Sequence, residues 1–246
     1  MELVYPPVIL AAKAMFKALG LRINVQGAEH IPDHGGAVIA CTHHSYLDFI
    51  FCGFGAQPAK RLVRFMAKKQ VFDSRIAGPL MRGMRHIPVD RSAGKAAYDE
   101  AVDRLRRGEV VGVFPEATIS RSFTVKELKS GSVRMATDAD VPIVPMAVWG
   151  TQRLWTKGRP RKLAQRGVPI SIRAGSPFKA DEAASVEEST EQLRTRMQQL
   201  LDDTQAGYPA KPADGEDPWW LPSHLGGTAP TPEAAAKLDS GHRDED

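Results

Sequence analysis

The feature that most constrains the fold of this chain is a series of short apolar runs that alternate with amphipathic segments. Apolar runs of about four to eight residues, bounded by Gly, Pro or polar clusters, are typical of buried β-strands. The predicted strands are Leu21–Gln26, Ala37–Cys41, Arg61–Ala67, His86–Val89, Val110–Phe114, Ile143–Trp149 and Val168–Ala174. The predicted helices are Val8–Leu19, Ser74–Arg82, a segment capped by Ser92 that runs to Arg107, Val133–Ala139 and a last one across Val186–Leu201. This alternation predicts an α/β fold, with a single domain whose central, mostly parallel or mixed sheet is flanked by helices and binds ligands at its strand ends.

The segment before the first predicted strand is expected to form an amphipathic helix. Its apolar stripe is flanked by two lysines, and these residues are Val8, Ala12, Met15, Phe16 and Leu19 with Lys13 and Lys17. Such a helix either packs on the core or lies at a membrane interface. The chain start has neither a basic leader region nor a small-residue cleavage site, so no signal peptide is expected. A membrane-spanning helix is not expected either, because no apolar stretch is long enough.

Composition and charge narrow the class of protein. With 42% hydrophobic residues, a chain of 246 residues can bury one ordinary core. Cys41 and Cys52 both fall in apolar runs, which indicates reduced core residues of a cytoplasmic protein. Residues 205–246 contain three Lys or Arg and eight Asp or Glu, a net charge of −5 in a chain of +4, so residues 1–204 carry +9. A basic body suits an anionic partner, which could be nucleic acid, an anionic membrane surface or a phosphorylated substrate.

Two segments near the C-terminus have unusual compositions. Arg153–Arg166 contains six basic residues and no acid, interleaved with Leu154, Trp155 and Leu163, a pattern that suits nucleic acid and a lipid headgroup surface equally well. Residues 205–246 are rich in Pro, Ala, Gly and acid, and we expect a disordered tail there. Within that tail, Trp219–Leu221 is the candidate for docking on the body.

A polar stretch, Thr42–Asp48, lies between two apolar runs and reads Thr-His-His-Ser-Tyr-Leu-Asp. His43 and Asp48 are five residues apart, a spacing that separates them on a continuous helix. They can meet if His43 lies in a loop and Asp48 in the first turn of the helix that follows. The carboxylate would then hold one ring nitrogen and leave the other free as a general base.

Simpler interpretations of the same stretch remain open. The pair could be a structural hydrogen bond, or Asp48 could cap the helix. His43 and His44 could be metal ligands, but adjacent side chains point apart and no further residues have ligand spacing. We therefore expect no metal site, and we expect His44 to be structural.

Three polar signatures lie at predicted strand ends: His43 with Asp48, Arg91, and Glu116 through Arg121. Together with an apolar strand they give four segments in a distinctive order: Thr42–Asp48, Gly83–Arg91, Phe114–Ser120 and Val141–Met146. In order and spacing they resemble the motifs of the glycerolipid acyltransferase family, which contains the lysophosphatidic-acid and glycerol-3-phosphate acyltransferases. The family patterns are Asn/Thr-His-x-Ser-x-x-Asp, a Gly-led strand that ends in Arg, Phe-Pro-Glu-Gly-Thr-Arg-Ser, and a Pro-bearing apolar strand. The resemblance covers about residues 20–200.

The resemblance implies a role for individual residues. His43 would deprotonate the acceptor hydroxyl, which attacks the thioester of acyl-CoA or acyl-carrier protein, and Asp48 would orient His43. Three further residues would line the acceptor site, namely Arg91, Glu116 and Thr118. The third motif departs from the family pattern, since Ala117 replaces Gly and Ile119 replaces Arg. The candidates to replace the missing arginine are Arg121, which shares a face with position 119 if the segment is extended, and Lys129.

The amphipathic stripe, the family resemblance and the tail composition together predict a domain plan: a membrane-associating helix at 1–19, an acyltransferase domain at 20–204 and an acidic tail at 205–246. The expected reaction moves a fatty acyl group from acyl-CoA, as co-substrate, to 1-acylglycerol-3-phosphate (lysophosphatidic acid) and gives phosphatidic acid for phospholipid biosynthesis. No cofactor is expected. The protein would lie peripherally on the cytoplasmic face of the cell membrane, with an anionic membrane surface as a partner.

Alternatives remain within and outside this enzyme class. The enzyme could acylate glycerol-3-phosphate or another polyol headgroup. The chain could also be a non-catalytic lipid-binding or nucleic-acid-binding protein. Binding of nucleic acid would leave the His43–Asp48 pair and the Phe-Pro-Glu loop unexplained, so no nucleic-acid partner is expected.

Overall fold

The sheet at the centre of the protein has seven strands. The computed structural model describes residues 2–90, 94–181 and 183–240. The strands are β1 (Arg22–Gln26), β2 (Ala37–Cys41), β3 (Val63–Lys68), β4 (Ile87–Val89), β5 (Val110–Val113), β6 (Ile143–Trp149) and β7 (Pro169–Ala174). The helices are α1 (Tyr5–Ala18), α2 (Asp48–Gly55), α3 (Lys69–Asp73), α4 (Ala77–Gly83), α5 (Gly94–Arg106), α6 (Gly131–Ala139), α7 (Val186–Ala206) and α8 (Pro232–Ser240). All seven predicted strands are present, with ends shifted by at most two residues.

The strand order is β1-β7-β6-β2-β5-β3-β4. Every neighbouring pair is parallel except β6 and β7, so β1 and β7 run opposite to the other five strands. β2 lies in the middle between β5 and β6, and its Ala40 pairs with Val113 of β5. The carboxyl ends of β2, β5 and β6 therefore meet at one edge of the sheet, where a ligand is expected to bind.

Both faces of the sheet are covered, as the continuous apolar strands require. Val38 and Ala40 of β2 pack in one cluster with residues of α5, α6 and α7. Ile39 and Cys41, which point to the opposite face, pack in a second cluster with α1 and α2. Alternate residues of a strand point to opposite faces, so two layers of helices are needed to bury the sheet. The predicted α/β fold with a mixed sheet is confirmed.

Helix α1 begins three residues before its predicted start. Pro6 and Pro7 lie in its first turn, where proline is tolerated because those N–H groups have no partner within the helix. Tyr5 and Phe16 are buried, and Val8 and Ala12 pack beside them. Met15 was expected on the inward stripe but is 49% exposed. None of the described helices combines the length and apolarity needed to cross a membrane.

The described part of the C-terminal segment, residues 207–240, differs from the disorder expected from its composition. Trp220 is buried against Tyr208, with ring centroids 5.7 Å apart, and its carbonyl accepts a hydrogen bond from Gln152. Residues 232–240 form α8. A buried tryptophan contributes a large apolar area to the order of a segment, and an average over a polar composition does not show that contribution.

Candidate active site

Two loops form the centre of the candidate site, and the sheet dictates that they meet. The loop from Thr42 to Leu47 follows β2, and the loop that begins at Phe114 follows the parallel neighbour β5. The backbone N–H of His43 donates to Oε1 of Glu116 at 2.8 Å. In return, the N–H of Ser120 donates to the carbonyl of His43 at 2.7 Å. These two hydrogen bonds fix the backbone of His43 relative to the second loop.

His43 and Asp48 lie in the arrangement that their spacing permits. His43 is in the loop and Asp48 is the first residue of α2, with Nδ1 of His43 3.2 Å from Oδ2 of Asp48. A carboxylate only accepts, so this contact places the proton of the neutral ring on Nδ1 and leaves Nε2 as the basic nitrogen. No described residue hydrogen-bonds to Nε2, and the side chain of His43 is 19% exposed. The ring can therefore take a proton from a group that enters from solvent.

The carboxylate of Asp48 is held by four donors although it is fully buried. Besides His43, the N–H groups of His44 and Ser45 donate to Oδ2 at 2.6 and 2.7 Å. The hydroxyl of Thr151 donates to Oδ1 at 2.6 Å. A buried carboxylate is costly unless hydrogen bonds satisfy it, and this set fixes its position as well as its charge. Thr151 lies two residues after the end of β6, so a third strand end contributes to the site.

His44 belongs to the core. It is fully buried, with its ring edge-on to Phe123 and Trp149. Burial lowers the pKa of His44 to about 4, so the ring is neutral at physiological pH. Thr156 donates to its backbone carbonyl at 2.6 Å. Among the described residues no group of three or more His, Cys, Asp or Glu could hold a metal ion.

Glu116 lies behind the loop of His43 and is 4% exposed. Its second oxygen, Oε2, accepts from the backbone N–H of Lys126 at 3.0 Å. Burial raises the pKa of Glu116 to about 8, against the opposing effect of the hydrogen bonds from Lys126 and His43. In this position Glu116 organises backbone groups and does not face solvent.

The remaining predicted site residues are spread around this centre. Arg91 lies outside the described residues. Thr118 is exposed and its hydroxyl accepts from Nζ of Lys126 at 2.7 Å. Lys129 is exposed, and its backbone N–H donates to the carbonyl of Pro115 at 2.8 Å. Lys126 thus contacts two of the predicted site residues: its side chain binds Thr118 and its backbone N–H binds Glu116.

The altered positions of the third motif have distinct environments. Ala117 has a φ of 62°, a left-handed conformation that glycine adopts without strain, which explains why glycine suits this position. Ile119 is buried in the core. The side chain of Arg121 is 12% exposed, and its Nε lies 3.2 Å from Oδ1 of Asp239 in α8. Arg121 is thus a partly buried, paired cation near the second loop.

Sequence reasoning missed three residues of this region. Thr151 could have been found, because it follows a strand that the fold places beside β2. Lys126 and Asp239 have no local signal, since their contacts depend on how distant loops and the C-terminal segment fold back. Only the three-dimensional structure reveals them.

The basic segment Arg153–Arg166 finds aromatic partners within the chain itself. The guanidinium of Arg153 lies 4.4 Å from the ring centroid of Trp220, and that of Arg159 lies 5.0 Å from Trp219. Arg161 lies 4.4 Å from Trp155. These cation–π contacts engage Trp155, which is interleaved in the basic segment, and Trp219 and Trp220, which were expected to dock on the body.

The chain is similar to several known proteins. A model of the Acyltransferase family matches residues 22–149. A 1-acyl-sn-glycerol-3-phosphate acyltransferase of Bacillus subtilis (strain 168) is 32% identical over 195 residues, which are 77% of this chain and 94% of that protein. A protein of the same name from Limnanthes douglasii is 32% identical over 167 residues, 66% of this chain and 57% of the relative. The crystal structure of the 1-acyl-sn-glycerophosphate (LPA) acyltransferase PlsC from Thermotoga maritima superposes with a TM-score of 0.68 at 24% identity, covering 83% of this chain and 81% of that one.

Proposed function

The chain belongs to the Acyltransferase family, and we propose that it transfers a fatty acyl group from acyl-CoA to the free hydroxyl of 1-acylglycerol-3-phosphate, which gives phosphatidic acid. The observation that carries this proposal is the pair of His43 and Asp48, in which Nδ1 is held and Nε2 is available. The two relatives named 1-acyl-sn-glycerol-3-phosphate acyltransferase support lysophosphatidic acid as the acceptor.

In the proposed reaction His43 is the catalytic base and Asp48 its positioning residue. Nε2 removes the proton of the acceptor hydroxyl while the oxygen attacks the thioester carbonyl carbon and forms the new C–O bond. The tetrahedral intermediate collapses when the C–S bond breaks. The imidazolium then returns its proton to the departing thiolate, which leaves as CoA with a free thiol. The buried carboxylate of Asp48 stabilises the imidazolium between the two proton transfers.

An apolar route supports the placement of the acyl chain. The ring of His43 stacks on Phe114 at 4.2 Å between centroids, and Phe114 stacks on Phe65 at 6.0 Å. Phe65 lines a small apolar cavity of about 70 Å³ between α1 and α2, together with Phe16, Phe49 and Phe54. We propose that an acyl chain lies along this route with its carbonyl beside His43.

The polar side of the site is proposed to hold the acceptor. Arg91, Thr118 and Arg121 are proposed to contact the glycerol phosphate, with Glu116 fixing the loop behind them. Lys129 is a weaker candidate because its side chain is exposed. A peripheral position on the cytoplasmic face of the cell membrane would give the enzyme direct access to its lipid acceptor.

The test is an assay of the purified protein with labelled palmitoyl-CoA or palmitoyl-acyl-carrier protein as donor. The acceptors are lysophosphatidic acid, lysophosphatidylcholine and glycerol-3-phosphate, and the control is His43→Ala. We expect phosphatidic acid to form from lysophosphatidic acid, and the preferred carrier to show in the relative kcat/KM of the two donors. Exclusive acylation of glycerol-3-phosphate would reassign the acceptor. Absence of transfer to every acceptor would refute the proposed function.

A further inference from the structure

Three cations converge on a single carboxylate beside the second loop. Oδ1 of Asp239 lies 3.2 Å from Nε of Arg121 and 3.0 Å from Nζ of Lys157, and Oδ2 lies 2.7 Å from Nζ of Lys126. We refer to Arg121, Lys126 and Lys157 as the cation cluster. Their three segments are far apart in sequence, and Asp239 comes from α8 in the C-terminal segment.

The charges of the cation cluster are not balanced. Across the described ranges Asp239 is the only carboxylate within 4.0 Å of these three side chains, so one negative charge faces three positive ones. All three cations are at least 70% buried, with exposed side-chain fractions of 12, 29 and 25%. Partly buried cations of like charge repel each other, so a more highly charged anion would satisfy them better. A phosphate monoester carries about −1.5 to −2 at neutral pH and offers three acceptor oxygens.

A cavity next to the cation cluster has room for such a group. It measures about 240 Å³, and Arg121, Lys157 and Arg159 contribute to its lining. Its remaining wall includes Trp219 and Leu238 of the C-terminal segment. A water molecule occupies about 30 Å³ of liquid, so the cavity can hold a group of several heavy atoms.

The cation cluster is linked to the candidate active site. Nζ of Lys126 also donates to the hydroxyl of Thr118 at 2.7 Å. The backbone N–H of the same Lys126 donates to Glu116, whose other oxygen binds the backbone of His43. One residue therefore contacts Asp239, Thr118 and Glu116, which connects the cation cluster to the hydrogen bonds that hold the backbone of His43.

Helix α8 is held by few contacts besides Asp239. It has nine residues, of which Ala235 is buried and Leu238 is 45% exposed. Isolated helices of this length are marginal in water. Upstream, the buried Trp220 holds the C-terminal segment independently of α8. A helix fixed mainly by one ion cluster can leave without unfolding the domain. Burial raises the pKa of Asp239, but the hydrogen bonds and charges of Lys126 and Lys157 outweigh it and lower that pKa to about 2, so the carboxylate stays charged at physiological pH.

We propose that the cation cluster is a binding site for a phosphate monoester of a substrate, and that Asp239 occupies it in the free enzyme as a built-in competitor that must be displaced. The inference rests on the proposed function for the identity of the substrate. Two substrates of the proposed reaction carry such a group: the acceptor has its glycerol phosphate, and CoA has a phosphate on its ribose. Displacement of Asp239 would couple binding of that group to release of α8.

Direct binding tests the proposal without depending on turnover. We would titrate the full-length protein with glycerol-3-phosphate and with adenosine 3′,5′-bisphosphate by calorimetry. Asp239→Asn should tighten binding of at least one probe by at least about fivefold, because a charged carboxylate no longer competes with the probe for the cation cluster. Lys157→Ala should weaken the same probe by about tenfold, since it removes a charge-assisted hydrogen bond. Asp239→Glu keeps the charge and should behave like the wild type.

Matched controls separate the cation cluster from general charge effects. Glu233→Gln removes an exposed acid from the same helix, and Arg166→Ala removes an exposed base from the same basic segment as Lys157. Neither should change probe affinity by more than about twofold. Thermal unfolding checks that every variant is folded.

The outcomes distinguish the two sources of phosphate and the two proposals. If glycerol-3-phosphate responds to the variants, the acceptor uses the cation cluster; if the bisphosphate responds, the acyl donor does. The proposal is overturned if Lys157→Ala binds both probes like the wild type, or if Asp239→Asn matches Glu233→Gln. Cluster-dependent binding without transfer to any lysolipid would refute the proposed reaction and leave the binding site standing.

Discussion

The N–H of His43 and the carboxyl group of Glu116 are joined by a hydrogen bond of 2.8 Å, which ties the loop after β2 to the loop after β5. Glu116 also accepts from the N–H of Lys126. Its two oxygens therefore bind the backbone at His43 and the backbone at Lys126, and the carboxyl group between them is buried. Glu116 thus holds the backbone of the proposed catalytic base, and Asp48 holds its imidazole ring. A change at Glu116 should therefore affect both stability and the geometry of the base.

We expect Glu116 to make stability depend on pH. Its pKa in the folded protein is about 8, above the ordinary value of 4.5, so the folded state binds the proton more tightly than the unfolded state. The stabilising contribution is fully present below about pH 4.5 and is lost as the pH rises through about 8. Glu116→Gln should remove this pH dependence and lower stability at acidic pH, since an amide nitrogen cannot accept from an N–H group.

The measurement is denaturant unfolding of the wild type and Glu116→Gln between pH 5 and 9. Glu127→Gln is the control, because Glu127 is an exposed acid eleven positions further along. An unchanged pH slope in Glu116→Gln would show that another group produces the dependence.

His43→Ala should lower kcat by about 10²- to 10⁴-fold, the range expected for loss of a general base. Asp48→Asn should lower kcat as well, because an amide can present its N–H₂ group to Nδ1 and reverse the ring tautomer. The acceptor KM should change little in either variant. Steady-state kinetics with lysophosphatidic acid provides the check. Near-normal turnover of His43→Ala would refute the proposed catalytic role of His43 and Asp48.

His44→Ala makes an instructive companion to these variants. Because His44 is fully buried between Phe123 and Trp149, its truncation should lower the melting temperature and reduce kcat less than His43→Ala does. Activity is compared at a temperature where the variant is folded. A larger loss of kcat in folded His44→Ala than in His43→Ala would contradict this assignment.

Thr151 is expected to act through Asp48. Thr151→Val removes the hydroxyl that donates to Oδ1 at 2.6 Å and should lower kcat about tenfold, with little change in KM. Thr151→Ser restores the donor and should recover most of the activity. Thr156→Val is the matched control, since its hydroxyl donates to the carbonyl of His44 and not to Asp48. Equal losses in the Thr151→Val and Thr156→Val variants would indicate a general effect on loop packing.

Much of the fold follows from local sequence. β6 occupies the predicted range Ile143–Trp149, because a long apolar run bounded by Pro142 and Gly150 leaves little freedom in the choice of ends. The pairing of His43 with Asp48 also follows from local rules, since five residues across a loop-to-helix boundary is a short distance. Short-range geometry was enough for both.

Long-range contacts explain what the sequence did not reveal. The helix expected at Ser74–Arg82 is present as α4, Ala77–Gly83, whereas α3, Lys69–Asp73, was not expected. The segment that contains Trp220 and Asp239 was expected to be disordered because its composition is polar. Its order depends on Arg153 and the cation cluster, which are distant from it in sequence, and on the packing of Trp220 against Tyr208. Average composition does not report such partners.

Arg121 was proposed from sequence as the substitute for the arginine missing at Ile119, and its place in the cation cluster sharpens that prediction. Arg121→Ala should raise the KM of phosphorylated acceptors about tenfold, or about 1.4 kcal/mol, and leave the KM of the acyl donor nearly unchanged. Arg121→Lys should recover part of the loss, since an ammonium keeps the charge without the planar fork. If both variants raise only the donor KM, Arg121 serves the CoA phosphate instead.

Membrane association is predicted to depend on the outward face of α1. Leu10 is 70% exposed and Met15 49% exposed, with Lys13 and Lys17 also exposed on the same helix, while the opposite face packs on the core through Phe16. An exposed leucine that enters the acyl boundary contributes about 1.5–3 kcal/mol, so Leu10→Ser should weaken binding to anionic vesicles about tenfold or more. Lys13→Gln should weaken it about fivefold, because each lysine near an anionic surface contributes about 1 kcal/mol.

Vesicle sedimentation across a range of salt concentrations separates these two contributions. Added salt should release the wild type, and the Lys13→Gln variant should respond less steeply because one screened attraction is gone. Leu225→Ser, at an exposed leucine of the C-terminal segment, is the control and should bind like the wild type. If Leu10→Ser and Leu225→Ser sediment equally with the vesicles, α1 does not enter the interface. A wild type that resists salt and is released only by detergent would instead indicate deeper insertion than one amphipathic helix provides.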